Sequence, residues 1–193
     1  MPDNRVEELR LPPQASSALL HVRDQMRALS HGMRSTSLVS VPLVTGIPMI
    51  VAGGTDQERA AVTEALASDL HRDVFRLDLA ALISQFVGET EKNIDRVFAM
   101  AEKAGAVLVF DEADALFGKR SEVKDAHDRY ANLEVTYLLS RIESYQGLAI
   151  LATNTVDDID PAFRRRFRYV VRLEGQAEQR EDEKTRRRED ETN

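Results

Sequence analysis

Chemistry in this chain gathers where apolar runs stop. Val107, Leu108, Val109 and Phe110 lead straight into Asp111, Glu112, Ala113 and Asp114. Four apolar residues followed by an acidic pair is how a buried parallel strand delivers carboxylates to its exposed C-terminal end. Asp111 could hold a divalent cation through water there, and Glu112 could orient or deprotonate an attacking water. A strand that merely ends in a solvated acidic turn accounts for the same letters equally well. Ala152-Thr153-Asn154 closes a second apolar run. Its amide could hydrogen-bond a terminal phosphate or the attacking water. Asn is common in loops, so only its pairing with the acids at an adjacent strand end raises it above that reading.

Three other stretches carry reactive or binding side chains. Arg164-Arg165-Arg166-Phe167-Arg168 offers guanidinium forks suited to phosphate oxygens, although a solvated basic turn is the simpler account of the letters alone. Gln85-Phe86-Val87-Gly88 puts an aromatic beside a glycine, either to grip a threaded polypeptide or to anchor the loop on the core. Chemistry on a triphosphate also needs a cradle upstream of the acids, ordinarily GxxxxGK[ST]. The chain has Gly53-Gly54-Thr55-Asp56-Gln57-Glu58-Arg59-Ala60 in that region. Gly118-Lys119 is rejected as a cradle, because no Ser or Thr follows it and Ala113 stands five residues before it.

Elements that could position these groups follow from apolar spacing. Leu19, Val22, Met26 and Leu29 recur at helical intervals, as do Val62, Ala65, Leu66 and Leu70. Ile94, Val97, Phe98 and Ala101 form a third stripe, and Ala131, Val135, Leu138, Ile142 and Tyr145 a fourth that Gly147 stops. Strands are expected at 48–52, 74–79, 106–110, 148–152 and 169–173. Residues 1–14 read as an irregular lead-in and 30–45 as containing a loop. This alternation implies a parallel sheet covered by helices on both faces, with ligands at the C-terminal strand ends. The segment after Glu174 has no apolar residue beyond Ala177 and is read as a charged, disordered tail.

Composition sets the outer bounds. The chain has 193 residues, 42% of them apolar, enough for one domain with a core. It has no cysteine, and therefore no disulfide framework or cysteine-based zinc site. A net charge of -7 disfavours a general nucleic-acid binder. No apolar run approaches the roughly 18 residues that span a bilayer, and no signal-peptide core is seen. The expectation is a soluble, cytoplasmic protein with no membrane and no clear nucleic-acid partner.

Taken together the motifs resemble those of AAA+ ATPases of the prokaryotic stand-alone type, over about Val41 to Leu173. The likeness rests on Phe86-Val87-Gly88-Glu89-Thr90-Glu91-Lys92-Asn93, Phe110 to Arg120, Ile150 to Asn154, and Arg165-Arg166-Phe167-Arg168. It implies a three-layer α/β P-loop NTPase-like sheet, the AAA+ large subdomain, with residues 1–40 as lead-in and helix, 41–173 as ATPase core and 174–193 as tail. By the same resemblance Asp111 and Glu112 match the Walker B pair, with Asp111 toward Mg2+ through water. Asn154 matches sensor 1, Arg165 and Arg166 the arginine fingers, and Phe86 the pore-loop aromatic. ATP and Mg2+ are the implied cofactors, bound by Gly53, Gly54, Thr55, Arg59 and Asp111. Family members form rings that remodel proteins. The letters Asp111 to Asp114 also occur in RNA helicases, but the chain is too short for two helicase domains and has no further helicase signature.

Two departures set the expected activity. Aligned backwards from Glu64-Ala65-Leu66-Ala67, the family's GPxGTGKT falls on Gly53 to Ala60. Glu58 then stands for glycine, Arg59 for lysine and Ala60 for the magnesium-binding threonine. A carboxylate at about 4–6 Å from a phosphate charge costs roughly 3–4 kcal/mol at an effective dielectric of 20. A loss of about 4 kcal/mol moves a micromolar site to about millimolar. The family's helical lid, which follows the fifth strand, has no counterpart in this sequence. Two readings remain. One is an ATP-binding, ring-forming remodelling ATPase with weak hydrolysis. The other is an inactive pseudo-ATPase subunit that lends structure or arginine fingers to a partner. Both need segment 53–60 to lie opposite the acids on a neighbouring strand.

Overall fold

The computed structural model describes residues 5–35, 46–78, 90–111, 113 and 126–173. Its elements in chain order are α1 (Pro13–Ser35), β1 (Ile47–Ala52), α2 (Asp56–Leu70), β2 (Val74–Asp78), α3 (Thr90–Ala104), β3 (Val107–Asp111), α4 (Ala126–Ser144), β4 (Leu148–Thr153), α5 (Pro161–Arg164) and β5 (Tyr169–Arg172). The five strands form one sheet in the order β2-β3-β4-β1-β5, and every pairing is parallel.

Parity along the strands divides the core into two layers, because successive side chains of a strand point to opposite faces. Leu108, Phe110, Ala149, Leu151, Ile50 and Ala52 pack with Ile94, Phe98, Leu138 and Ile142 of α3 and α4. Val107, Val109, Leu148, Ile150, Met49 and Val51 pack with Leu19, Val22 and Met26 of α1 and Val62 and Leu66 of α2. All six residues of β4 are buried, which only a central strand covered on both faces allows. The expected α/β sheet with helices on both sides is therefore present.

The N-terminal portion is more ordered than its sequence suggests. Helix α1 runs on through Ser30 to Ser35, and residues 36–45, the rest of the stretch expected to contain a loop, lie outside the described residues. The lead-in contains a short 3-10 turn, Val6–Glu8, with Val6 buried and its N–H donated to the Asp69 carboxylate of α2 at 3.4 Å. Leu9 and Leu11 pack, part-buried, against the same layer, and three apolar residues in so short a polar stretch are too few to establish a period. Among the described residues, no helix is long and apolar enough to cross a membrane.

Candidate functional site

The C-terminal edge of the sheet collects the loop after β1, Asn154 after β4 and Asp111 at the end of β3. Strand β4 lies between β1 and β3. Asn154 thus sits beside the loop, and Asp111 is two strands away from it; the expected neighbouring-strand placement is corrected, and what remains of it is that loop and acid share the C-terminal ends of one parallel sheet with β4 between them.

Gly53 and Gly54 turn the chain from β1 into α2 with φ of 78° and 66°. This left-handed region favours glycine. A β-carbon on Gly54 would also meet the Glu58 carboxylate at 2.9 Å and Leu173 at 3.3 Å. Thr55 caps α2, its hydroxyl accepting the Glu58 N–H at 3.2 Å. The Glu58 carboxylate returns the bond, accepting the Thr55 N–H at 2.7 Å and its hydroxyl at 3.0 Å. This capping box places an internal carboxylate at the helix N-terminus, where an anion is favoured. The Thr55 N–H, then the Thr55 hydroxyl, hold the Glu58 carboxyl below the ordinary glutamate range.

Arg59 begins the second turn of α2 and points inward, only 8% exposed. Its Nη1 donates to the carbonyl oxygens of Gly53 and Gly54 at 3.1 and 2.7 Å. Its Nη2 donates to Asn154 Oδ1 at 2.8 Å and to Asp56 Oδ1. The guanidinium therefore sits among four oxygens, two of them backbone carbonyls. A phosphate-binding turn presents N–H groups inward. Here the inward groups are acceptors, and their centre is filled by a cation of the chain itself. A triphosphate does not fit this arrangement: it would meet carbonyl oxygens and the Glu58 carboxylate. The cavity beside Gly53 and Asn154 measures about 10 Å³, room for about one water.

Asp111 is half-exposed and accepts from Arg76 Nη1 of β2 at 3.3 Å. Arg76 Nη2 also reaches Glu64 of α2 at 3.5 Å. Arg76 carries no motif in the sequence, although its position two before the end of β2 puts it on the same strand face as Asp78, the register partner of Asp111. Glu112 and Phe86 lie outside the described residues.

The basic turn is built differently. Asp160 caps the short α5 by accepting from Ala162 N–H at 2.7 Å. Arg165 follows α5 and is exposed. Arg166 donates to both Glu143 oxygens at 3.3 Å, and Arg164 lies 3.8 Å from Asp157. Among the described residues, Arg165 has no ion pair.

The model of the ATPase family associated with various cellular activities (AAA) matches residues 49–174. This chain belongs to the AAA family. It is 36% identical over 125 residues to an uncharacterized AAA family ATPase, y4kL, of Sinorhizobium fredii, covering 64% of this chain and 37% of that protein. It is 29% identical over 126 residues to the proteasome-activating nucleotidase of Aeropyrum pernix, covering 63% of this chain and 31% of the other. The chain thus spans about a third of the length of these relatives. The crystal structure of the FIGL-1 AAA domain in complex with ADP superposes with a TM-score of 0.60 at 22% identity, covering 83% of this chain and 52% of that one.

Proposed function

We propose that this AAA-family chain is a nucleotide-silent subunit, one that packs into a ring with other AAA subunits and presents Arg165 and Arg166 to a neighbour's nucleotide. One observation carries the reading: the loop after β1 turns the Gly53 and Gly54 carbonyls inward onto Arg59. A loop arranged this way binds a cation and repels a triphosphate. Arg76 on Asp111 supports the same reading, because the acid matched to Mg2+ already holds a positive group. On this reading the family's ATP, Mg2+ and protein-remodelling work belong to the partner, and this chain contributes architecture and charge in the cytoplasm.

A second reading keeps ATP on this chain. It is favoured by the convergence of the loop, Asn154 and Asp111 at one sheet edge, where P-loop folds do their chemistry. Arg59 would then have to leave its four oxygens, and Glu58 its cap, before a triphosphate entered. Calorimetric titration with Mg-ATP separates the two. The silent subunit gives no saturable heat below about 100 μM. A dissociation constant tighter than about 10 μM, near −7 kcal/mol, refutes it.

A further inference from the structure

We infer that Arg59 is a built-in ligand that latches the loop after β1 to Asn154, so that these two strand ends form one unit that does not respond to nucleotide. The inference rests on the silent-subunit reading and deepens it, from a site that lacks ATP to a site that carries its own occupant.

The latch joins groups far apart in sequence. Arg59 and Asn154 are 95 positions apart, and their hydrogen bond at 2.8 Å bridges α2 to the end of β4. The same guanidinium holds both loop carbonyls. A lysine has one charged nitrogen and cannot reproduce a planar fork across two carbonyls, a carboxylate and an amide. The loop's own ends are tied as well: Gly53 N–H donates to Thr153 O at 3.2 Å, and the capping box closes the head of α2. Each charged group at this site meets an opposite charge or a dipole of the chain. Arg59 faces Asp56, and Glu58 faces the Thr55 N–H and hydroxyl. The connecting group is covalently part of α2, so it needs no bound ligand to be present.

The test is hydrogen–deuterium exchange on the full chain, read in peptides covering 53–60 and 150–156, with 94–110 as an internal control of folding. Arg59→Ala is expected to speed exchange at least tenfold in both test segments and to leave 94–110 unchanged. Arg59→Lys is expected to fall between Arg59→Ala and the wild type. Adding 5 mM Mg-ATP is expected to leave the wild type unaltered. Loosening of 53–60 without 150–156 overturns the latch, as does no change in either. If Arg59→Ala loses protection everywhere, Asn154→Ala decides, since it deletes one exposed acceptor. The latch predicts faster exchange at 53–60 in that variant, and unchanged exchange there overturns it. Calorimetry alone judges the silent-subunit reading, so tight Mg-ATP binding with a latch intact by exchange would sink the first proposal and spare this one.

Discussion

Arginines stand at two places on this molecule, and the chain treats them in opposite ways. Arg59, after β1, is buried with its donors on Gly53, Gly54, Asp56 and Asn154. Arg165, before β5, is exposed and without an ion pair among the described residues. A guanidinium is costly to bury and is kept inside only where acceptors surround it. One left in water does little for its own fold. The loop has therefore turned its charge to structural use, and the basic turn keeps its charge available to something outside the chain. The same residue type marks a closed site in one region and an open one in the other.

The most forceful way to break this comparison is to reopen the loop. Glu58→Gly, Arg59→Lys and Ala60→Thr together remove the internal carboxylate and the fork and restore a hydroxyl. The expected gain in Mg-ATP affinity is about a thousandfold, the roughly 4 kcal/mol that separates millimolar from micromolar binding. Calorimetry on the triple variant reads it directly. No gain would mean that segment 53–60 is not the family's phosphate loop, and the contrast with the basic turn would lose its meaning. A smaller effect isolates the guanidinium. Arg59→Met keeps the aliphatic stem and deletes the charged donors. Hydrogen bonds from charged groups contribute about 1.5–3 kcal/mol, so a loss of about 2 kcal/mol in urea unfolding is expected. A loss below about 0.5 kcal/mol would show that the inward arginine is dispensable.

The sheet was legible in the sequence and the latch was not, and the difference is one of range. Val107 to Phe110 or Leu148 to Ala152 announce themselves because burial on both faces demands an unbroken apolar run. The helical stripes of α2 to α4 follow from a period of 3.6 residues. Both signals are local. The Arg59–Asn154 bond spans 95 positions and the Arg76–Asp111 bond 35. No spacing rule connects such residues. By alignment alone Arg59 is a charged stand-in for lysine, pointing at phosphate. The fold instead points it at carbonyls. One local clue was available for Glu58. Thr55-Asp56-Gln57-Glu58 is a capping box pattern, S/T-x-x-E, which assigns the glutamate to the Thr55 N–H. Weighed by charge alone, the same carboxylate is only a repulsion.

Acid provides a gentler probe of the closed region. The Glu58 carboxyl is held below its ordinary range of about 4.5, first by the Thr55 N–H and then by its hydroxyl. A depressed folded value means the charged form is favoured in the folded chain. Its contribution to stability is thus complete above the unfolded value and is lost as pH falls through the lower, folded one. Glu58→Gln should flatten that segment of the stability–pH curve below about 4.5, leaving the curve near neutral pH with the same slope. Urea unfolding from pH 3 to 7 measures it. An unchanged slope in the variant would mean that the cap is not made by the ionised carboxylate.

The smallest expected effect lies in the open region, and it sharpens the comparison most. Arg166 is bound to Glu143, but both side chains are 41% exposed, and surface pairs of this kind contribute about 0–1 kcal/mol. Arg165 has less still to lose. Arg165→Ala should leave the unfolding midpoint within about 0.5 kcal/mol of the wild type, as substitutions away from internal contacts do. If the variant instead destabilises the isolated chain as much as Arg59→Met does, Arg165 has an internal role and the two regions are alike. If stability is untouched, the residue's charge has no use within this chain. An exposed guanidinium with no internal use, just after a short capped helix, is what a surface that meets an anionic partner requires.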